Sequence, residues 1–263
     1  MKRKIVSVSP EHFPECLRHL IPTHKLYDSS CSQDARVWLL EGQESLYLKS
    51  AAAGTLASEA ALTRYFHSKK LSAQVLEYVT TDDRDWLLTR AIPGEDCTFP
   101  RYCDDPRRLC DTTATLLRQL HEESTVNCPV ANHSDEYLDC VFRNRQAGFC
   151  DLTLFPENDW VFSSPEEAWN TVETYGHYLK NDTLLHGDYC LPNILLDNWN
   201  FSGFIDVGRG GTGDRHVDIF WGVWTLFFNL KTTAYCSRFL DAYGRDRIEP
   251  DLLRLVAACE VFL

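Results

Sequence analysis

Four short runs in the first third of the chain alternate apolar and polar positions with the period of a pleated strand. They cover residues 36–40, 45–49, 74–79 and 85–90. The first two predict a hairpin turning at Glu41-Gly42-Gln43-Glu44, and the last two predict another turning at Thr81-Asp82-Asp83-Arg84. Between the hairpins the period changes to that of a helix over residues 56–67, with Leu56, Glu59, Leu62, Thr63 and Phe66 on one stripe. Residues 11–20 predict a further short helix. Pro93-Gly94 marks a change of direction, and beyond it helical patterns dominate. Asp105-Pro106 supplies an N-cap and a first-turn proline for a helix with Leu109, Thr113, Leu116, Leu117 and Leu120 inward. Helices are also expected over 135–145, 166–180 and 217–230, the last apolar nearly all round and so buried. Residues 149–164 read as irregular. The expected architecture is α+β in two lobes: a small antiparallel sheet over residues 1–93, ending in the hinge, and a larger, mainly helical lobe over 94–263.

Residues 185–208 carry the densest chemistry. An apolar run before Asp197 and a second over 201–207 predict two short strands around Asp197-Asn198-Trp199-Asn200. This hairpin separates His186-Gly187-Asp188 and Asn193 from Asp206-Val207-Gly208. An Asp and an Asn five positions apart, followed by Asp-x-Gly, is the arrangement with which kinases align a hydroxyl and hold magnesium on phosphates. Asp188 is then the candidate base or hydroxyl-orienting group, and Asn193 and Asp206 are candidate Mg²⁺ ligands, both hard oxygen donors. His186 reads as ordering the loop.

The strand and helix upstream supply a second pair. Tyr47 and Lys49 share one face of the strand that Lys49 ends. Glu59 lies in an apolar stripe, where a carboxylate is costly without a cation. Lys49 is the natural partner, and such a Lys-Glu pair holds the nucleotide phosphates in kinases.

Composition narrows the partners. A net charge of −12 over 263 residues argues against nucleic acid, whose phosphates demand basic patches, and suits a cationic substrate. The opening apolar run is too short for a secretory signal, and the run 219–230 is too short for a membrane span. Eleven cysteines with no C-x-x-C pair read as reduced thiols of a cytoplasmic protein.

His186-Gly187-Asp188 with Asn193, then Phe204-Ile205-Asp206-Val207-Gly208-Arg209-Gly210-Gly211 with Asp214 and Asp218, resembles the aminoglycoside 3'-phosphotransferases. The Gly-Arg-x-Gly-x-x-Asp continuation points to that family within the kinase-like group. The resemblance implies ATP and Mg²⁺ as cofactors and transfer of the γ-phosphoryl to the 3'-hydroxyl of a cationic aminoglycoside, conferring antibiotic resistance. It implies phosphate contacts from Ser32 in a loop that lacks glycine. It also implies adenine bonding to backbone groups of Arg90 and Ile92 with Tyr47 stacked on the ring. For the substrate it implies Glu157, Asn158 and Arg209, together with the acidic, aromatic tail holding Glu260 and Phe262. Asp218 would brace the catalytic loop. The chain departs from the family pattern at Cys259, where an Asp is expected, and at Leu263, one residue beyond Phe262. A kinase for another small amine or sugar such as choline, and a nucleotide-binding pseudokinase module, remain alternatives. The intact set Lys49, Glu59, Asp188, Asn193 and Asp206 weighs against the second.

Overall fold

A computed structural model describes residues 4–31, 34–154 and 160–263. In chain order the strands are β1 (Lys4–Ile5), β2 (Lys25–Asp28), β3 (Ala35–Glu41), β4 (Leu46–Ala52), β5 (Val75–Thr80), β6 (Arg84–Arg90), β7 (Glu95–Asp96), β8 (Thr183–Leu185), β9 (Ile194–Asp197), β10 (Asn200–Phe204) and β11 (Gly211–Gly213). The helices are α1 (Ala57–Ser68), α2 (Pro100–Cys103), α3 (Pro106–His121), α4 (His133–Gln146), α5 (Pro165–Tyr175), α6 (His216–Leu230), α7 (Cys236–Tyr243) and α8 (Pro250–Glu260). The chain divides into two units. One comprises Met1–Gly94 and Leu195–Gly208, the other Glu95–Ile194 and Arg209–Leu263. The segment 195–208 therefore groups with the sheet, although it follows the expected hinge by a hundred residues.

The first unit is built on an antiparallel sheet in the order β1-β2-β3-β4-β6-β5. Its strand alternation separates two chemistries. Leu40, Leu46, Leu48, Trp86 and Leu88 point to one face and pack with Phe13, Leu17 and Ile21. Trp38 stacks on Trp86 at 6.0 Å and meets Phe13 edge-on at 5.4 Å. Burying a side chain as completely as Leu40 or Leu48 contributes roughly 1.5–3 kcal/mol. Ala51 and Leu87 face the opposite way and meet Leu56 and Ala60 at the start of α1. Lys49 shares that second face by the period of two. The second strand of the predicted hairpin does not end at Lys49 but runs on to Ala52, which lies opposite Arg84 on β6.

Residues 11–20, expected as a short helix, fall instead in two 3-10 segments, Pro10–His12 and Glu15–Thr23. Pro14 precedes the second and Pro22 lies inside it, and each removes a donor that an α-helix would use. The predicted hairpin of residues 194–204 is present. Asn198 and Trp199 both take positive φ, 50° and 71°, as the tight two-residue turn requires. Its second strand ends at Phe204, and a 3-10 turn, Val207–Arg209, follows.

In the second unit α3 begins where predicted. The Asp105 carboxylate accepts the Arg108 N–H at 3.2 Å, and Leu109, Thr113, Leu116, Leu117 and Leu120 are buried. β8 and β11 pair antiparallel, Leu185 opposite Gly211, which brings the two ends of the motif region together. α6 is not buried all round. Phe228 is 49% exposed and stacks on Trp224 at 4.8 Å. All eleven cysteines are free thiols. Among the described residues no helix is long and apolar enough to cross a membrane.

Candidate active site

In the first unit, Lys49 is held at the centre of the sheet, opposite Val37 on β3 and Leu87 on β6. Its ammonium donates to both Glu59 oxygens, at 2.9 and 2.8 Å, and to Asp206 Oδ1 at 2.9 Å. Two glycine-dependent approaches make this possible. A Cβ on Gly208 would lie 2.9 Å from Glu59 Cβ, so the glycine of Asp-x-Gly is what lets α1 approach the loop. A Cβ on Gly94 would lie 2.3 Å from the Leu196 carbonyl oxygen, and φ there is +99°. Asp206 itself has φ 55°, a region that Asp enters more readily than most residues. One cation between two carboxylates leaves a net negative charge. Burial pulls the Lys49 ammonium down, but Asp206 and Glu59 more than offset it and hold it above the usual lysine range. Glu59 is pushed up, chiefly by burial.

Tyr47 sits half-buried on the Lys49 face of β4. The Arg90 backbone N–H donates to Gln74 O at 2.9 Å. Ile92 packs over Gly203, where a Cβ would lie 2.6 Å from Ile92 Cδ1. Ser32 lies outside the described residues.

In the second unit the catalytic-motif loop is fixed by backbone hydrogen bonds. Asp218, fully buried, accepts the His186 N–H at 2.7 Å and the Gly187 N–H at 2.8 Å. Burial works against this carboxylate, but hydrogen bonds from the His121 ring and the His186 backbone help to outweigh it and hold Asp218 below the usual range. Gly187 has φ +81°, and a Cβ there would lie 1.8 Å from the Arg209 carbonyl oxygen. The glycine between His186 and Asp188 is thus demanded by the Arg209-Gly210 backbone passing over it.

Asn193 closes the loop. Its amide nitrogen donates to the Asp188 carbonyl at 3.0 Å and to Asp188 Oδ2 at 2.9 Å. The five-residue spacing is therefore a ring closed by one side chain, supported by the 3-10 turn Leu191–Asn193. Each unit by itself offers a hard oxygen donor of the kind a divalent cation takes. With the amide nitrogen committed to Asp188, Asn193 has its carbonyl oxygen left, and Asp206 offers a half-exposed carboxylate. Among the described residues no cluster of three His, Cys, Asp or Glu side chains could hold a metal.

The predicted substrate residues are distributed unevenly. Glu157 and Asn158 lie outside the described residues. Arg209 is exposed. Glu260 is the last residue of α8 and buried, its Oε1 accepting the Tyr137 hydroxyl at 2.9 Å. Phe262 is fully buried. It meets Trp169 edge-on at 5.8 Å and lies under the Arg145 guanidinium, while its carbonyl accepts from Asn144 at 2.8 Å. Its ring therefore anchors the tail, and Cys259 beside Glu260 is also wholly buried. Tyr137 was not legible in the sequence, because an isolated tyrosine on a polar helix carries no positional signal.

Burial raises the Glu260 carboxyl from the ordinary 4.5 to about 7, although hydrogen bonds from Tyr137 and Trp221 and the charge of Arg209 oppose it. The folded state therefore favours the protonated acid. The stability this gives is fully present below the ordinary carboxylate pKa and is lost as pH rises through about 7. Glu260→Gln should flatten the dependence of melting temperature on pH between 5 and 8, removing a total stability change of up to about 3 kcal/mol for a shift of this size. Parallel melting curves for variant and wild type would show that Glu260 is ionised throughout.

Residues 27–255 match the model of the phosphotransferase enzyme family. A protein of Lactococcus lactis subsp. lactis named probable aminoglycoside 3'-phosphotransferase is 46% identical over 259 residues, covering 98% of each chain. The crystal structure of a type VIII aminoglycoside-3'-phosphotransferase superposes with a TM-score of 0.71 at 23% identity, covering 94% of this chain and 97% of the other. An aminoglycoside phosphotransferase of Streptomyces rimosus, solved with ADP and streptomycin, gives 0.64 at 22% identity, covering 86% and 90%. The fold is the kinase-like α+β fold of those structures, and with most of its length matched by the family model this chain belongs to the phosphotransferase enzyme family.

Proposed function

We propose that this protein transfers the γ-phosphoryl group of ATP to the 3'-hydroxyl of aminoglycoside antibiotics, and so confers resistance to them. The observation that carries the reading is the Asp188-Asn193 ring, closed at 2.9 Å on a loop whose backbone is fixed by Asp218. It is supported by 46% identity to a relative named for that activity. In this reading Asp188 accepts the proton of the 3'-hydroxyl as its oxygen bonds to the γ-phosphorus and the bond to the ADP oxygen breaks. Lys49, oriented by Glu59, holds the nucleotide phosphates, and the backbone of Arg90 and Ile92 with the Tyr47 ring receives the base. Asn193 and Asp206 hold Mg²⁺, which when bound neutralises charge on the phosphate oxygens. Glu260, steadied by Tyr137, and Arg209 order the substrate end, with Ser32 toward the phosphates and Glu157 and Asn158 toward the substrate amines.

Kanamycin has a 3'-hydroxyl and tobramycin has none. Kanamycin should be converted to a monophosphorylated product detectable by mass spectrometry. Tobramycin should bind through its ammonium groups and inhibit without being phosphorylated on that ring. Because the contacts are charge pairs, inhibition should weaken as salt rises. Efficient phosphorylation of tobramycin refutes the 3' assignment, and no response to either compound moves the reading to another small-molecule kinase.

A further inference from the structure

Behind the catalytic loop lies a buried polar chain that the assigned chemistry does not use. Asp218 Oδ2, which accepts the His186 N–H, is also 3.2 Å from Nε2 of His121, the last residue of α3. The other ring nitrogen, Nδ1, is 2.8 Å from the hydroxyl of Tyr243, the last residue of α7. All three residues are buried, with exposures of 7% for His121, 0% for Asp218 and 1% for Tyr243. We propose that His121 is a positioning residue for phosphoryl transfer, acting through Asp218 on the His186-Gly187-Asp188 loop, and that the Tyr243 hydroxyl sets the ring tautomer with which it does so.

The proton count argues for this. An ionised Asp218 can only accept, so Nε2 stabilises it only when it carries the hydrogen. A bare Nε2 would set its lone pair against a buried carboxylate. A neutral ring with its proton on Nε2 leaves Nδ1 as an acceptor, and its partner at 2.8 Å is the Tyr243 hydroxyl, which must then donate. Burial holds the ring below the usual histidine range, with Arg215 and His216 acting in the same direction and Asp218 opposing them. Tyr243 is in turn fixed by Arg118, whose guanidinium donates to its carbonyl at 2.8 Å, and by charge and hydrogen bonding from Arg215. The chain Tyr243-His121-Asp218 thus leads from α7 through α3 and α6 to the two backbone amides that precede Asp188. Buried partners of this kind are what hold a reacting group within the narrow tolerance that rate requires.

The reading of His121 rests on the proposed phosphotransfer only for its kinetic arm, and the test separates the two. Leucine at 121 fills the space without a donor, whereas glutamine can present its amide N–H where Nε2–H stands. His121→Leu should lower kcat with kanamycin by on the order of 10-fold to 100-fold, with KM for ATP and for kanamycin within about twofold, because no ligand contact is removed. His121→Gln should recover most of that rate. Long-range ¹⁵N–¹H spectra of the intact wild-type protein should show the His121 ring neutral with its proton on Nε2 from pH 6 to 8, and Tyr243→Phe should shift that signature. A folded His121→Leu enzyme with wild-type kcat, a glutamine variant no better than leucine, or a ring protonated on Nδ1 overturns the proposal. If the leucine variant does not fold, the ring spectra and Tyr243→Phe kinetics decide it. If wild type phosphorylates no aminoglycoside, the functional reading fails and the tautomer measurement still stands or falls alone.

Discussion

Asp188→Asn is expected to reduce turnover by on the order of 10² to 10⁴ while leaving nucleotide affinity within a few-fold, the loss typical of one positioned acid-base group. The substitution is close to isosteric. The Asn193 amide can still donate to the side-chain oxygen it meets at 2.9 Å, and the backbone N–H groups of His186 and Gly187 remain on Asp218. What disappears is the negative charge and the proton-accepting capacity at the incoming hydroxyl. Turnover measured alongside nucleotide affinity separates the two effects. Ordinary turnover in the variant would remove Asp188 from its proposed role, and joint loss of turnover and nucleotide binding would mean the loop had collapsed.

Gly187→Ala should be the most damaging single methyl group in this chain. The residue combines φ +81° with a backbone carbonyl that would stand 1.8 Å from the new carbon, and neither can relax without moving the other. The left-handed backbone alone costs an L-residue about 1–2 kcal/mol, and forcing atoms into a packed site adds roughly 1–3 kcal/mol. A fall in melting temperature on the order of 10 °C follows, with activity lost as Asp188 is displaced. Gly54→Ala is the internal control. It has nearly the same φ, +85°, with nothing within 4 Å of the added carbon, so only the backbone cost should appear. Equal destabilisation by the two substitutions would mean that the Arg209 crossing contributes nothing.

Much of this site was legible in the sequence because its residues are close in chain or set by short periods. The Lys49-Glu59 pair follows from a two-residue period meeting a four-residue one across ten positions, and the Asp188-Asn193 ring spans five. The partners of the second unit were not legible for the opposite reason. Tyr137 meets Glu260 across 123 positions and His121 meets Tyr243 across 122, and no local pattern announces either. Helix α6 failed differently. A run of aromatics satisfies any inward face, so the pattern could not show that Phe228 points outward. Phe262 was expected at the substrate, but its ring is what holds the tail to Trp169.

The grouping of residues 195–208 with the sheet has a consequence for how the chain folds. Lys49 obtains Glu59 from its own neighbourhood, but Asp206 belongs to the same unit only after the intervening residues 95–194 have been looped out. Closing a loop of about a hundred residues costs roughly 4 kcal/mol of chain entropy. During synthesis from the N-terminus the sheet can form while its third charged member has not yet left the ribosome. A fragment ending at Gly94 would carry a lysine with one carboxylate in place of two, so the unit that holds the sheet is not one contiguous stretch of chain, however complete its sheet.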